Sequence, residues 1–310
     1  MDGRQDGDRQ VNGRTDIGTA LERAADGSPP LLLDGATGTE LERRGVEMVD
    51  GLWDALATGS RPDVLREIHA DYLRSGSQVV IANTFATSRY VLAEAGYADQ
   101  FESLNRDAVR LAVEARDAVR PSAWVAGSIS TVNFGVLPAS LQKARQDYRD
   151  QAEIMAAAGA DFIILEMMRD VELTAAAADA IRAVGLPCWV GYSVEQDTEG
   201  RLVSQERGVP LREMLESLDF ASVQAVGVMH SLVEPTGPAL EEVAVVWPGP
   251  RFAYAHSGGW SMPHWQFDDI IAPDDYAKVA VTWVADGVQA VGGCCGLGPE
   301  HIRTLARALL

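Results

Sequence analysis

Two adjacent cysteines near the C-terminus define the most specific chemistry in this sequence. Cys294 and Cys295 lie in the stretch VGGCCGLGPEHI, residues 291–302, and the chain of 310 residues has one other cysteine, Cys188. Neighbouring side chains on an extended strand point in opposite directions, so two thiolates that share one ion need a sharp turn between them. Glycines allow such a turn, and they flank the pair at Gly292, Gly293 and Gly296. The pair therefore predicts two ligands of a soft, tetrahedral metal such as zinc.

A zinc site needs at least one more protein ligand. Cys188 lies in the apolar run PCWVGYS, where a cysteine is most simply a small buried hydrophobic residue. His230 ends the apolar run VQAVGVMH and is the better third ligand. We therefore predict a metal site, and the catalytic centre, at His230, Cys294 and Cys295, with Zn²⁺ as the cofactor.

The elements that must position these residues follow a regular order. From residue 30 onward, short apolar runs alternate with amphipathic segments, and runs without strict alternation suit parallel strands buried on both faces. Eight strand–helix repeats predict an α/β fold, a (β/α)8 TIM barrel. The predicted strands are 31–34, 78–84, 123–130, 161–166, 187–193, 223–230, 252–257 and 288–293. The predicted helices are 62–75, 100–118, 141–158, 171–184, 211–217, 238–246 and 274–285.

Polar residues stand at nearly every strand end. In this fold the active site collects at the carboxyl ends of the strands, so these residues are candidates for the site. Helix capping and turn formation explain Asn83, Ser128 and Ser193 equally well. The strand-end residues are Asp34, Asn83, Thr84, Ser128, Ser130, Glu166, Ser193, His230, His256, Ser257, Cys294 and Cys295.

Composition narrows the partners and the location. The formal net charge of −19 opposes binding to nucleic acid or to an anionic membrane surface, both of which require clustered Lys and Arg. The N-terminus has no apolar leader segment, and no run reaches the roughly 18 apolar residues that span a bilayer. Three cysteines do not form a disulfide framework, which favours a reducing cytoplasm. Residues 1–28 are expected to be a flexible tail with a short helix at 16–25, and 29–310 a single catalytic barrel domain. No feature predicts the oligomeric state.

Five motifs together resemble the homocysteine S-methyltransferase family, whose enzymes move a methyl group onto the sulfur of a zinc-bound thiol in a (β/α)8 barrel. The motifs are LLLDGATGTELERRG, IANTF, GADFIILEMM, YAHSGG and GGCCGLGPEHI, and the likeness covers residues 30–310. It implies that Cys294 and Cys295 bind zinc and that Asp34 and Glu166 hold the amino group of the amino-acid thiol. The implied substrate contacts also include the 35–38 loop and later strand ends, namely Gly35, Ala36, Thr37, Asn83, His256 and Ser257.

The sequence departs from the family at two strand ends. The family ends strand six with Asn-Cys, whose Cys is the third zinc ligand, whereas this chain has Met229-His230; His256 replaces an Asn in the Y-x-N-S-G segment. Zinc with two thiolates and one imidazole is uncharged, so it is a stronger Lewis acid and leaves a bound thiolate less nucleophilic. We therefore expect an activated onium donor, such as S-methylmethionine, S-adenosylmethionine or betaine, ahead of a folate. The acceptor is homocysteine or a related small thiol.

Two other functions are compatible with the same residues. A metal-free enzyme would use His230 or His256 as a base and Cys294 as a covalent nucleophile. A non-catalytic thiol or redox sensor would close the vicinal cysteines into a disulfide. Aromatic residues near the strand ends either surround an onium methyl group through cation–π contacts or serve packing alone; they are Trp53, Tyr254, Trp260 and Trp265.

Overall fold

Eight parallel strands follow one another around a barrel in the computed structural model, which describes residues 10–11, 14–131, 136–261 and 263–310. Each strand pairs with the next from β2 to β8, and β8 pairs with β1. The predicted TIM barrel is therefore confirmed. The strands are β1 (Leu31–Leu32), β2 (Val79–Ile81), β3 (Trp124–Ser130), β4 (Phe162–Met168), β5 (Cys188–Tyr192), β6 (Ala225–Leu232), β7 (Arg251–His256) and β8 (Ala290–Val291).

Helices cover the outside of the barrel. Nearly all strand side chains are buried, because the barrel interior lies on one face and the helices on the other. The helices are α1 (Ile17–Ala25), α2 (Thr37–Arg43), α3 (Ala57–Ser60), α4 (Pro62–Ser75), α5 (Arg89–Glu94), α6 (Phe101–Val119), α7 (Leu141–Ala158), α8 (Val171–Val184), α9 (Leu211–Glu216), α10 (Val233–Val246), α11 (Pro273–Ala285) and α12 (Pro299–Leu309). Short antiparallel ribbons pair 10–11 with 14–15, 194–196 with 202–204, and 259–261 with 264–266. None of the helices in the described part of the chain is long and apolar enough to cross a membrane.

The seam between β1 and β2 closes without a strand ladder in the described residues. Backbone and side-chain bonds replace the ladder: Gln78 N donates to Leu32 O at 2.7 Å, and Leu32 N donates to Gln78 Oε1 at 3.0 Å. Three residues after Gln78, at the end of β2, Ile81 N donates to the carboxylate oxygen Oδ2 of Asp34 at 2.7 Å. Asp34 thus acts as a strand-pairing group where β1 has already ended.

The predicted helices are present with small shifts at their ends. The largest shift concerns α10, which begins at Val233, whereas the prediction began it at residue 238. Proline is best tolerated in the first helical turn, where no intrahelical N–H bond is needed, and the predicted segment began at Pro238. The helix instead has Pro235 in its first turn and tolerates Pro238 inside.

The segment before the barrel contains the predicted short helix. The Asp16 carboxylate caps α1 by accepting from Gly18 N and Thr19 N, as an N-cap residue does. Ile17 and Leu21 are buried against the barrel. The flexibility expected for residues 1–28 and the domain boundary at residue 29 stay predictions, and residues 1–9 and 12–13 lie outside the described part of the chain.

Candidate metal and substrate site

His230, Cys294 and Cys295 lie together at the carboxyl-end rim of the barrel. All three are buried, and their potential ligand atoms lie within 4.8 Å of one another. Cys294 Sγ is 3.7 Å from Cys295 Sγ and 3.3 Å from His230 Nδ1. The end of β6 and the turn after β8 thus bring His230 together with two cysteines that lie 64 and 65 positions further along the sequence.

The turn after β8 has the glycine-dependent shape that the sequence predicted. Gly296 has φ +84°, and a Cβ atom there would clash with the backbone oxygen of Ser257. A Cβ at Gly292 would lie 2.6 Å from Leu33 Cβ. Cys294 N donates to Ala255 O at 2.7 Å, which continues the pairing with β7 past the end of the strand. Both thiols therefore converge because the backbone can pack closely and then reverse.

His230 projects inward because the backbone of β6 is irregular at its end. Its φ is +50°, and the pairing of β6 with β7 shifts register between Met229 and Leu232. Ser193 Oγ donates to His230 O at 2.9 Å and holds this conformation. The imidazole stacks on the Phe85 ring with centroids 5.2 Å apart. A left-handed backbone at a residue other than glycine is uncommon and costs energy that the surroundings must offset.

Glu166 orients the imidazole from β4, which β5 separates from β6. Its Oε1 lies 2.7 Å from His230 Nε2, and its Oε2 accepts a hydrogen bond from Ser128 Oγ. Burial alone would lower the pKa of His230, but hydrogen bonds to Cys295 and Glu166 outweigh it and raise the pKa to about 9. The carboxylate thus fixes the ring through Nε2, and Cys294 Sγ lies 3.3 Å from Nδ1 and 3.4 Å from Nε2.

The donor set fits a tetrahedral zinc ion. With zinc–sulfur bonds of about 2.3 Å, two tetrahedral thiolate ligands lie about 3.8 Å apart, which matches the 3.7 Å between Cys294 Sγ and Cys295 Sγ. A metal-binding histidine usually gives its second nitrogen to a carboxylate, as His230 does with Glu166. The structure therefore contains a group that could hold a metal.

The two thiols differ in protonation. Hydrogen bonding from Cys294, and then from His230, lowers the pKa of Cys295 to about 6 despite burial. Burial raises the pKa of Cys294 well above its ordinary value. Without a metal, the site therefore holds one thiolate, Cys295, beside a neutral thiol and a charged imidazole at neutral pH.

Asp34 does not line the cavity beside the cysteines. Its side chain is fully buried, with Oδ2 accepting from Ile81 N and Oδ1 from the Tyr254 hydroxyl at 3.1 Å. Burial raises the pKa of this carboxyl well above its usual value. Its position beneath the rim supports the barrel seam, and its contact with a substrate amino group stays a prediction.

The cavity above the cysteines brings together only some of the predicted substrate contacts. Ala36, Thr37, Asn83 and Glu166 line it together with His230 and Cys294. Gly35 instead packs under the cavity, where a Cβ would lie 2.5 Å from the ring of Tyr72.

His256 and Ser257 face a neighbouring cavity bordered by Leu232 and Asp269, not the cavity beside Cys294. Ser257 Oγ accepts from Ile271 N at 2.8 Å, so its hydroxyl holds the following loop. Burial lowers the pKa of His256 to about 3, which keeps this ring neutral.

Aromatic rings extend from the cavity to the surface. Trp53 lines the cavity and contacts Trp260 edge-on with centroids 5.1 Å apart. Trp260 is 41% exposed and lies 6.3 Å from Trp265. The predicted aromatic group is therefore continuous on one side of the mouth, with Tyr254 at the floor of the cavity.

The cavity residues that were not selected from the sequence include an acidic and an aromatic side chain, Asp54 and Phe85. Phe85 belongs to the IANTF motif but follows the polar pair that ends the predicted strand, so it was passed over. Asp54 lies between β1 and β2 in a segment with no strand or helix period. Burial, and then the negative charge of Cys295, raise the pKa of Asp54 to about 7. An acidic residue directly after a tryptophan in an apolar stretch, GLWDAL, was the available signal.

The fold is a (β/α)8 barrel, and a buried His-Cys-Cys group lies at its carboxyl-end rim, where enzymes of this fold have their active sites. These two features define the class of protein as a barrel enzyme whose active site can bind a soft metal. Residues 31–309 match the sequence profile of the family described as homocysteine S-methyltransferase. This match spans nearly the whole chain, so the protein belongs to the homocysteine S-methyltransferase family and is a thiol S-methyltransferase-like enzyme.

Individual relatives agree with this assignment. The chain is 30% identical to the homocysteine S-methyltransferase of Escherichia coli (strain K12), covering 89% of this chain and 94% of the relative. It is 27% identical to homocysteine S-methyltransferase 4 of Zea mays, over 90% and 89% of the two chains. A crystal structure of the homocysteine methyltransferase MmuM from Escherichia coli, in a metallated form, superposes with a TM-score of 0.78 at 27% identity. That superposition covers 93% of this chain and 99% of MmuM.

Proposed function

We propose that the protein transfers a methyl group from an onium-type donor to the sulfur of homocysteine, at a zinc ion bound by His230, Cys294 and Cys295. The observation that carries the proposal is the convergence of these three side chains at the rim, with spacings that fit tetrahedral zinc. The acceptor comes from the relatives, which are described as homocysteine S-methyltransferases. The product is then methionine.

Zinc would supply one chemical function here: it lowers the pKa of a coordinating thiol, so that the acceptor sulfur is held as a thiolate at neutral pH. The chain's own residues prepare the site for it. Glu166 engages His230 Nε2, so Nδ1, 3.3 Å from Cys294 Sγ, is the nitrogen left for a metal. Phe85 stacks on the same ring and restricts its rotation. We assign Glu166 mainly to this orienting role, because both of its oxygens are engaged by protein groups.

The transfer itself needs no proton. A lone pair of the acceptor sulfur forms the new bond to the methyl carbon while the bond from that carbon to the onium atom breaks. The electrons of the broken bond remain on the onium atom, which loses its positive charge. The residues around the cavity therefore contribute by holding the two reactants in line and by excluding water. An uncharged metal site makes the acceptor less nucleophilic than one with three thiolates, which favours a donor with a good neutral leaving group.

The aromatic side of the mouth supports an onium donor. Trp53, Trp260 and Trp265 form a connected group from the cavity to the surface. Faces of tryptophan rings attract cationic methyl groups, an interaction worth about 0.5–2 kcal/mol depending on exposure. A donor such as S-methylmethionine, S-adenosylmethionine or betaine has the required charge.

The metal-free alternative has less support from the geometry. Its predicted nucleophile, Cys294, has a raised pKa, and its second candidate base, His256, faces another cavity. The sensor alternative needs a disulfide between Cys294 and Cys295, and it gives no role to the polar residues at nearly every strand end. The chain has three cysteines, two of them adjacent, which do not suit a disulfide framework, and we further propose a reducing, cytoplasmic location.

The test combines metal content with product formation. Protein purified without a chelator or a metal-binding tag is analysed by plasma mass spectrometry as wild type, His230→Ala and, as a control, Cys188→Ser. We expect about one zinc per chain in wild type and in the control, and little in His230→Ala. Each protein is then incubated with homocysteine and a donor that carries a deuterated methyl group.

Labelled methionine from an onium donor, lost together with zinc in His230→Ala, would support the proposal. Labelled methionine formed by zinc-free protein would refute the proposal that the reaction requires zinc. Transfer from a methylated folate, with none from an onium compound, would refute the proposal of an onium donor. Reduced, zinc-loaded protein that methylates no thiol from any of these donors would refute the proposed reaction.

A further inference from the structure

The cavity beside Cys294 is too small for the two reactants. It measures about 40 Å³, and because each water molecule needs about 10–15 Å³, it has room for about three waters. The wall is tight because α2 packs directly on the loop before β2. A Cβ atom at Gly38 would lie 2.6 Å from Asp54 Oδ2 and 2.9 Å from the indole of Trp53. A thiol acceptor and an onium donor together need several times this space, so part of the wall must move before they can enter.

The side of the cavity at Trp53 is covered by a segment that lies outside the barrel. Ile81 and Tyr254, also in the wall, belong to β2 and β7 and are fixed by the barrel. Trp53 is instead covered by Trp260, which belongs to the ribbon that pairs 259–261 with 264–266. This ribbon follows the end of β7. It is therefore a part of the mouth that can move while the barrel stays intact.

Two glycines join the ribbon to the end of β7. Gly258 has φ +99°, a conformation that residues with a side chain rarely adopt. A Cβ atom at Gly259 would have its nearest neighbour 3.8 Å away, so the backbone there is not tightly packed. The cavity of about 580 Å³ beside His256 is bordered by Gly258, Gly259 and Gln266. The glycines thus form a hinge, and the ribbon has open space on one side.

One carboxylate on α2 holds the ribbon in place. Glu42 Oε2 accepts from Trp265 N at 3.1 Å, and Glu42 Oε1 lies 2.8 Å from His264 Nδ1. The indole nitrogen of Trp265 donates to Ser257 O at 3.2 Å, across the hinge. The His264 side chain is 60% exposed, so water can take the place of Glu42 at little cost. These bonds can therefore break without unfolding the barrel.

The contact between Trp260 and Trp53 contributes to both sides of the balance between a closed and an open ribbon. The two rings meet edge-on with centroids 5.1 Å apart, so opening would expose apolar surface of Trp53. The indole nitrogen of Trp53, however, is buried and has no acceptor among the described residues. A buried N–H without a partner is unfavourable, and opening would let it bond to water or to an entering ligand. This gain offsets part of the loss and keeps the open state accessible.

We propose that this ribbon is a lid over the cavity beside Cys294, hinged at Gly258 and Gly259 and held closed by Glu42. The lid opens to admit the reactants, and its closure brings Trp260 back over Trp53 and excludes water during methyl transfer. The purpose of the closure rests on the proposed function, whereas the hinged motion does not depend on it. Glu42 is thus a positioning residue that acts through the lid.

The motion is tested by hydrogen exchange at the indole N–H of Trp265, whose bond to Ser257 O breaks when the lid opens. The amide of Gly292, which donates to Ala253 O in the barrel, is the reference for global unfolding. Exchange at both sites is followed by NMR on the full chain at several low urea concentrations. In wild type the indole should exchange faster than the reference and independently of urea, because a local opening exposes little surface.

Three variants separate the latch from other effects. Glu42→Ala removes both bonds to the ribbon and should speed exchange at the indole about 5- to 30-fold. His264→Ala removes one of them at an exposed position and should speed exchange by a smaller factor. Glu47→Ala, an exposed residue just beyond α2, is the control and should exchange like wild type. None of the variants should change exchange at the reference amide relative to global stability.

The gating role is tested by the rate of homocysteine binding to reduced, zinc-loaded protein, followed by stopped-flow tryptophan fluorescence. If the lid must open first, the rate in wild type should level off at high homocysteine concentration. Its initial slope against concentration scales with the open fraction, so Glu42→Ala should raise this slope by the same factor as it raises exchange.

Different outcomes would overturn different parts of the proposal. Indole exchange that occurs only through urea-dependent global unfolding in wild type would overturn the lid, even if the variants misfold. Exchange that Glu42→Ala leaves unchanged would overturn the latch. A binding rate with the same slope in a variant whose exchange is faster would overturn the gating role. Lid motion in protein that binds no homocysteine would instead refute the proposed function and leave the hinged motion supported.

Discussion

Metal affinity should rise steeply with pH, because two of the three proposed ligands are protonated at neutral pH. The pKa of His230 is raised to about 9, and that of Cys294 well above its ordinary value, whereas that of Cys295 is lowered to about 6. Zinc binds deprotonated ligands, so binding at pH 7 to 8.5 should release about two protons. Each released proton contributes a factor of about ten per pH unit, which predicts an apparent affinity that increases roughly 100-fold per unit.

The measurement is a competition for zinc against an indicator of known pH dependence, from pH 6.5 to 8.5, in the presence of a reductant. Proton release is measured separately by calorimetry in buffers with different ionisation enthalpies. Glu166→Gln removes the carboxylate that helps to raise the pKa of His230, so the slope in the upper half of this range should decrease towards one proton. Glu153→Gln, at an exposed helix position, serves as the matched control and should keep the wild-type slope.

A wild-type affinity that is flat with pH, or that changes with a slope of one proton, would refute the protonation states deduced from the geometry. An unchanged slope in Glu166→Gln would show that the carboxylate does not act through His230. Either result would leave the metal site itself in place, since occupancy is measured independently.

Three further predictions concern stability. His69 is buried with both ring nitrogens unpaired, and burial lowers its pKa to about 4. As the pH falls, the histidine is therefore protonated in the unfolded chain before it is protonated in the folded protein. The free energy of unfolding should decrease by about 3 kcal/mol between pH 6.5 and pH 4. His69→Leu should flatten this loss in urea unfolding at several pH values, and an unchanged loss would contradict the assignment. Gly296→Ala should cost about 3 kcal/mol or more and reduce zinc binding, whereas Gly208→Ala, also at positive φ but with open space around it, should cost about 1 kcal/mol. Equal costs in thermal unfolding would show that the close packing is unimportant. Tyr254→Phe removes a hydroxyl that donates to Asp34 and should cost about 1–3 kcal/mol by the same assay; a cost near zero would mean that the bond is not needed.

The barrel could be predicted from the sequence because each strand is a short apolar run and each is followed by a helix. The ends of β1 and β8 could not: the predicted runs continue to Asp34 and Gly293, whereas the strands end at Leu32 and Val291, and only single backbone bonds such as Gly293 N to Asp34 O extend beyond them. Beyond that point the chain already turns into the rim, and Asp34 uses its side chain where a backbone group would otherwise pair.

The metal-capable residues were predicted because strand ends meet at one rim in this fold, whatever their separation in sequence. The same rule does not say which way a strand-end side chain points. His256 and Ser257 end β7 as predicted but face a different cavity from Cys294. Asp54 was missed for the opposite reason, since a loop outside the strand pattern brings it into the cavity and only the three-dimensional packing around Gly38 reveals its place.

The bond from Ile81 N to Asp34 makes one carboxyl group responsible both for closing the barrel and for shaping the floor of the active site. A change at this position would loosen the wall and the pocket together, so the two properties cannot be tuned separately. The rate of hydrogen exchange at the Ile81 amide would therefore report how often the contact between β1 and β2 opens. Fluctuations that separate β1 from β2 would also move Tyr254 and the 35–38 loop, so the shape of the site entrance depends on the closure of the barrel.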